Sequence, residues 1–157
     1  MCSNRRRSRG RCNIDRAILF LFHGVLMRII TVNVNGIRAA AKKGFFEWLA
    51  TQQADVVCIQ ETKAQIDQLG DPIYHPDGFH CYYYDAERKG YSGTAVYSRI
   101  EPQNVQFGLG WEPCDSQARY LQVDFEGISV VSMYVPSGSS NEAVSYTHLT
   151  LPTSSRV

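Results

Sequence analysis

The chain has no long hydrophobic run, no paired-cysteine motif and, over most of its length, no excess of positive charge. Its amino-terminal apolar stretch, Ala17–Phe22, falls far short of the ~20 residues a helix needs to cross a bilayer. The five cysteines (Cys2, Cys12, Cys58, Cys81 and Cys114) are odd in number and never spaced C-x-x-C, which argues against a zinc site or a disulfide framework. Cys58, inside an apolar run, reads as a buried thiol of a reducing compartment. The net charge of +1 hides an imbalance: residues 1–26 carry six arginines against Asp15, whereas Met27–Ala143 holds nine basic residues against fourteen acidic ones. Such a body cannot bind nucleic acid by bulk charge. Phosphate contact would need a local patch or a metal ion.

What is present suits one ordinary domain. The 157 residues, 44% hydrophobic and 20% charged, are enough for a real core and have the composition of a globular protein. Neither a repeat nor a low-complexity tract interrupts the body. The two ends differ from it. Residues 1–26, Arg-rich and then apolar, have a signal peptide's outline without a convincing cleavage site, and are expected to be an upstream-translated extension with Met27 as the start. Residues 144–157 are expected to be an adapter-derived tail. The domain proper is thus read as 27–143.

Within it, Arg28–Val34 is β-branched and predicts a strand. Phe45, Trp48, Leu49 and Gln52 recur at helical spacing, so residues 44–53 are expected to form an amphipathic helix. Asp55–Glu61 is a continuous apolar run ending in a carboxylate, the pattern of a strand covered on both faces. A short helix is expected over 64–69, stopped by Asp71-Pro72. Five strands follow, over 79–84, 93–98, 105–109, 119–125 and 128–135, with Glu126-Gly127 marking a hairpin. The order β-α-β and then a meander predicts a mixed sheet with helices outside.

Strand carboxyl ends are where an α/β sheet presents its ligand-binding groups. Here they carry Asn33-Val34-Asn35-Gly36 and Gln60-Glu61-Thr62-Lys63. A carboxylate beside an amide-bearing turn suits Mg²⁺, which takes oxygen ligands and often only one or two carboxylates. Taken singly, Asn35-Gly36 is an ordinary turn and Glu61 a solvated strand end.

Together, Asn33-x-Asn35-Gly36-Ile37-Arg38 and Gln60-Glu61-Thr62-Lys63 resemble the opening signature of exonuclease III-type AP endonucleases. Two later blocks agree, in the right order: Lys89-Gly90-Tyr91-Ser92-Gly93-Thr94-Ala95, and Tyr134-Val135-Pro136-Ser137-Gly138 with Arg119 on the preceding strand. The resemblance implies an α/β fold, a DNase I-like four-layer sandwich of two mixed sheets flanked by helices, of which this chain carries a truncated, amino-terminal portion. It implies a Mg²⁺-dependent DNA-repair nuclease, with Mn²⁺ as a substitute ion. Such an enzyme cleaves 5′ to abasic sites and trims 3′ ends of double-stranded DNA as a cytoplasmic bacterial monomer.

Residue by residue, the resemblance makes Glu61 a metal ligand, with Asn35 close to the metal. Asn33 becomes an amide hydrogen-bonded to the catalytic carboxylate cluster, and Tyr134 a tyrosine whose hydroxyl contacts the target phosphate. Arg38, Lys63, Tyr91, Ser92 and Gly93 fall on the DNA-facing side, although Gly93 equally suits a tight strand entry. Val32 replaces the family's usual aromatic residue, a packing change. The downstream Gly-Asp-Phe-Asn-type block and the terminal Asp-His pair are absent. His23, His75, His80 and the tail's His148 replace none of them, so this polypeptide by itself is expected to be inactive. The alternatives are an inactive metal- and DNA-binding fragment, or a same-fold phosphodiesterase for inositol phosphates or sphingolipids. The Gln60–Lys63 and Lys89–Gly93 blocks favour DNA repair.

Overall fold

The structure, a computed structural model, describes residues 13–22 and 25–136. Residues 144–157, Ser137-Gly138, His23 and His148 lie outside them. Two sheets form. The first has strand order β1-β2-β3-β5-β4, made of β1 (Asn13–Phe22), β2 (Val25–Asn33), β3 (Val56–Gln60), β4 (His80–Tyr84) and β5 (Thr94–Ser98). It is mixed: β2 and β3 are parallel, and the other pairings are antiparallel. The second sheet is an antiparallel meander of β6 (Asn104–Phe107), β7 (Tyr120–Phe125) and β8 (Ile128–Met133), with the expected hairpin pairing Phe125 with Ile128. Part of the amino-terminal segment read as an extension is thus β1, at the edge of the first sheet.

Parallel neighbours need a crossover, supplied by α1 (Ile37–Ala41) and α2 (Phe45–Ala50). Helix α2 is shorter than its periodicity suggested. Gln53 turns into the left-handed region at φ 50°, which lets Ala54 enter the core and Asp55 bond the start of β2 through Arg28. The helix expected over 64–69 shrinks to one 3₁₀ turn, Ile66–Gln68, because Ala64 and Leu69 on either side are both pulled into the core. Pro72 begins a second such turn instead of merely ending the first. It needs no N–H at a first helical position, and Asp71 caps the turn by accepting from Ile73.

Three layers result. Ile30, Val32, Val57, Ile59 and Tyr97 face α1 and α2, where Ile37, Phe45, Phe46 and Leu49 meet them. On the opposite face Met27, Val56, Cys58 and Val96 pack on Leu121, Val123, Phe125 and Val130 of the second sheet. Strands β3 and β5 are buried at every position because both their faces are covered, whereas β8 alternates. Cys58 is buried, as its apolar neighbours implied, and burial pushes its thiol up to about 12. It is therefore an inert core group.

A polar clip joins the two sheets. Gln60 donates to Ser132 Oγ at 3.1 Å, and Ser132 donates to the Ile59 carbonyl at 3.1 Å, both within the buried interior. Replacing Ser132 by Ala would strand the Gln60 amide, so we expect a loss of about 1–2 kcal/mol in urea unfolding. An unchanged denaturation midpoint would mean the clip contributes nothing.

Candidate active site

Asn33 sits opposite Gln60 at the parallel ends of β2 and β3, so the segments following both strands emerge at one edge of the sheet. Backbone bonds lock them together: Val34 N–H to Gln60 O (3.1 Å), Gly36 N–H to Glu61 O (2.7 Å) and Ile37 N–H to Thr62 O (2.8 Å). On the other flank Thr62 N–H donates to Gly93 O (3.1 Å) and Lys63 N–H to Ser92 O (2.9 Å). Three turns distant in sequence thus become one unit. Asn35, Glu61, Lys63 and Ser92 all adopt left-handed backbone, with φ of 47°, 54°, 49° and 45°. That region costs a non-glycine residue roughly 1–2 kcal/mol, and such strain persists only where surroundings over-determine it, which is common at functional sites.

The side chains converge accordingly. Asn33 Nδ2 donates to Glu61 Oε1 at 2.7 Å, and its Oδ1 accepts from the Asn35 N–H at 3.0 Å, which fixes the amide's orientation. Lys63 Nζ lies 2.7 Å from Glu61 Oε2 and donates to Asn35 Oδ1 at 2.6 Å. The Tyr134 hydroxyl also faces the Glu61 carboxylate, near enough for each to shift the other's titration. Burial pushes Glu61 up, but bonds from Asn33 and Lys63, the Tyr134 hydroxyl and the Lys63 charge outweigh it and hold the carboxyl below its ordinary 4.5. Because the folded value is depressed, the stabilisation from this carboxylate is present above 4.5 and disappears as pH falls through the lower folded value. Wild type should therefore lose stability relative to Glu61→Gln on acidification below that pH, as read by urea melts. Parallel pH profiles for the two proteins would contradict the charge arrangement.

Tyr134 moves the other way. Burial, then the nearby Glu61 carboxylate and its charge, push the phenol up to about 12 against the opposing pull of Arg119. At neutral pH it is a protonated donor. Arg119 itself is buried, 4% exposed, and among the described residues its bonds go to neutral groups: Gln117 Oε1 (2.9 Å from Nε), the Tyr91 hydroxyl (3.0 Å) and the Tyr134 carbonyl (3.4 Å). Its guanidinium lies 4.9 Å from the Tyr134 ring centre and 5.8 Å from that of Tyr91. Among the described residues the one ion pair is Lys63–Glu61, so Arg119 brings an unneutralised positive charge beside Tyr134.

The structure therefore brings together Asn33, Asn35, Glu61, Lys63 and Tyr134, with Tyr91 one step away across Arg119. Arg38 lies exposed on α1, outside the cluster. Ser92 and Gly93, grouped by sequence with the DNA-facing residues, are buried instead. Their observed contacts are with the Glu61–Lys63 turn, which matches the tight strand entry. His75 contacts the Leu69 carbonyl and the Tyr83 ring, and His80 is exposed on β4. Sequence reasoning missed Gln60 as a clip between sheets and Gln117 as the partner of Arg119. Nothing in their local patterns marks either.

A mixed sheet packed on an antiparallel one, rather than on the second mixed sheet expected, with a carboxylate site at the strand ends, makes this the DNase I-like fold. The chain belongs to the Endonuclease/Exonuclease/phosphatase family, whose model matches residues 30–154. An exodeoxyribonuclease of Bacillus subtilis is 41% identical over 112 residues, covering 71% of this chain and 43% of that protein. The DNA repair nuclease APEX1 of Danio rerio is 37% identical over 115 residues, covering 72% and 37% respectively. Among solved structures, an AP endonuclease from Archaeoglobus fulgidus superposes with a TM-score of 0.61 at 34% identity, covering 70% of this chain and 41% of that one. A 3′ phosphatase from Neisseria bound to a product DNA hairpin gives a TM-score of 0.60 at 32% identity, covering 69% and 41%. The chain thus spans less than half the length of the relatives it matches.

Proposed function

We propose that the protein is a Mg²⁺-dependent DNA-repair nuclease of the exonuclease III type, cleaving duplex DNA 5′ to abasic sites and trimming 3′ ends, as a monomer in the bacterial cytoplasm. The observation that carries this reading is the Glu61 carboxylate, oriented by Asn33 and flanked by the Lys63 ammonium and the Tyr134 hydroxyl. Relatives named exodeoxyribonuclease and DNA repair nuclease support it.

The donor set fits a hard cation. Glu61 Oε2 and Asn35 Oδ1 both bind the Lys63 ammonium, so a positive charge already stands between two oxygens. Glu61 and Asn35 would hold Mg²⁺, or Mn²⁺ in its place. A metal there supplies polarisation of the phosphate and offsets charge that builds in the transition state. The chain's own residues do the rest of what can be derived. Asn33 holds Glu61 in one orientation, Tyr134 offers a proton-bearing donor to a phosphate oxygen, and Lys63 and Arg119 favour the anionic substrate. Selectivity for abasic sites follows from flipping a sugar that has no base pair to break.

The test uses protein expressed from the whole gene. It compares an abasic-site duplex, an intact duplex and a phosphoinositide, with Mg²⁺ and with EDTA. We expect incision at the abasic site that EDTA abolishes. Hydrolysis of the phosphoinositide with the DNA untouched would overturn the proposal.

A further inference from the structure

Lys63 does more than sit beside the carboxylate. Its ammonium touches both of the oxygens assigned above to a metal, Glu61 Oε2 at 2.7 Å and Asn35 Oδ1 at 2.6 Å. We propose that Lys63 is a built-in counter-cation that fills the metal's place, so that a divalent ion enters only by displacing the ammonium. The inference rests on the reading that Glu61 and Asn35 are metal ligands.

Charge and geometry carry it. Glu61 contributes the one carboxylate of the cluster, because position 35 is a neutral amide, so the ammonium already cancels the site's negative charge. Divalent ions of this class bind oxygen at about 2.0–2.1 Å. An ion that close to both oxygens would lie within a few ångströms of the ammonium, with two like charges sharing one carboxylate. Both cannot stay. The lysine is held in place by the backbone: its left-handed φ of 49° and its N–H bond to Ser92 aim the side chain back toward Asn35. It is also free to leave, since its side chain is 33% exposed and can carry the charge into water. The arrangement lowers affinity for the ion without removing any ligand.

The experiment titrates Mn²⁺ into the full 157-residue chain and follows the free ion by electron paramagnetic resonance, with circular dichroism to verify folding. Lys63→Met is the main variant because it adds no oxygen donor, and Lys63→Gln is the second should the first not fold. Either should tighten Mn²⁺ binding at least about tenfold over wild type, or about 1.4 kcal/mol. Lys63→Arg, which keeps the charge, should not. Glu61→Gln in the Lys63→Met background should remove the bound ion. Equal or weaker binding by the neutral variants, no Mn²⁺ binding by any of them, or retention of the ion without Glu61 would each overturn the proposal. The readout involves no DNA, so loss of the nuclease reading alone would leave these titrations as they stand.

Discussion

In protein expressed from the whole gene, Glu61→Gln should lower phosphodiester cleavage by on the order of 10³-fold, the effect seen when one preorganised electrostatic group is taken from a transition state. The substitution is nearly isosteric, and the Gln side-chain oxygen can still accept from Asn33, which now reaches Glu61 Oε1 at 2.7 Å. What disappears is the cluster's one carboxylate, leaving Lys63 without its ionic partner. Stability should change by less than about 1 kcal/mol, since the Glu61–Lys63 pair is partly open to solvent. The combination of intact folding and lost turnover separates a functional carboxylate from a structural one. Cleavage within tenfold of wild type, at saturating Mg²⁺, would show that the reaction does not depend on Glu61.

The second large effect is on folding. A Cβ placed on Gly93 would lie 2.3 Å from Thr62 Oγ1 and 3.3 Å from the Tyr84 carbonyl oxygen, with φ at +85°. Thr62 cannot easily swing aside, because it is β-branched and only 1% exposed. Its N–H also bonds the Gly93 carbonyl, so any retreat of one segment drags the other. Left-handed strain of roughly 1–2 kcal/mol and overpacking of about 1–3 kcal/mol together give a loss of about 3 kcal/mol for Gly93→Ala. In a chain of this size that is a fall of about 6–12 °C in Tm. The Glu61 turn would shift with it, so the activity of the whole-gene protein should drop even in its folded fraction. Gly90→Ala is the control: φ is +72° but nothing lies within 4 Å, so only the backbone strain remains. Equal effects at the two positions would mean that the close approach to Thr62 is not what requires glycine.

How much of this was legible beforehand differs from element to element. Strands β3 to β8 stand within two residues of where their sequence runs placed them, whereas β2 starts three residues earlier than expected, at Val25. Each carries its own local signal, and the Glu126-Gly127 hairpin has a turn pair as well. Helix α3 (Glu112–Asp115) and helix α1 were not expected. Both are too short for a hydrophobic period to show, and each is set by its surroundings: α1 starts where the Gly36 and Ile37 N–H groups bond the turn after β3. The burial of Ser92 was equally hidden, since a serine in a Gly-rich turn normally faces water.

From residue order alone came the positions of most strands, the two strand-end motifs and the identity of Glu61 as the carboxylate among them, because propensity, period and turn chemistry act over a few neighbouring residues. The resemblance already set Asn33, 28 residues away, against the carboxylates; only the tertiary structure decided that Lys63 neutralises Glu61. The same holds for Ser132 tying Gln60 and Ile59 to the second sheet across 72 and 73 residues, and for Arg119 lying buried beside two tyrosine rings. Such contacts depend on which strands become neighbours, and strand order is set by how whole faces bury against one another, a quantity no local window contains.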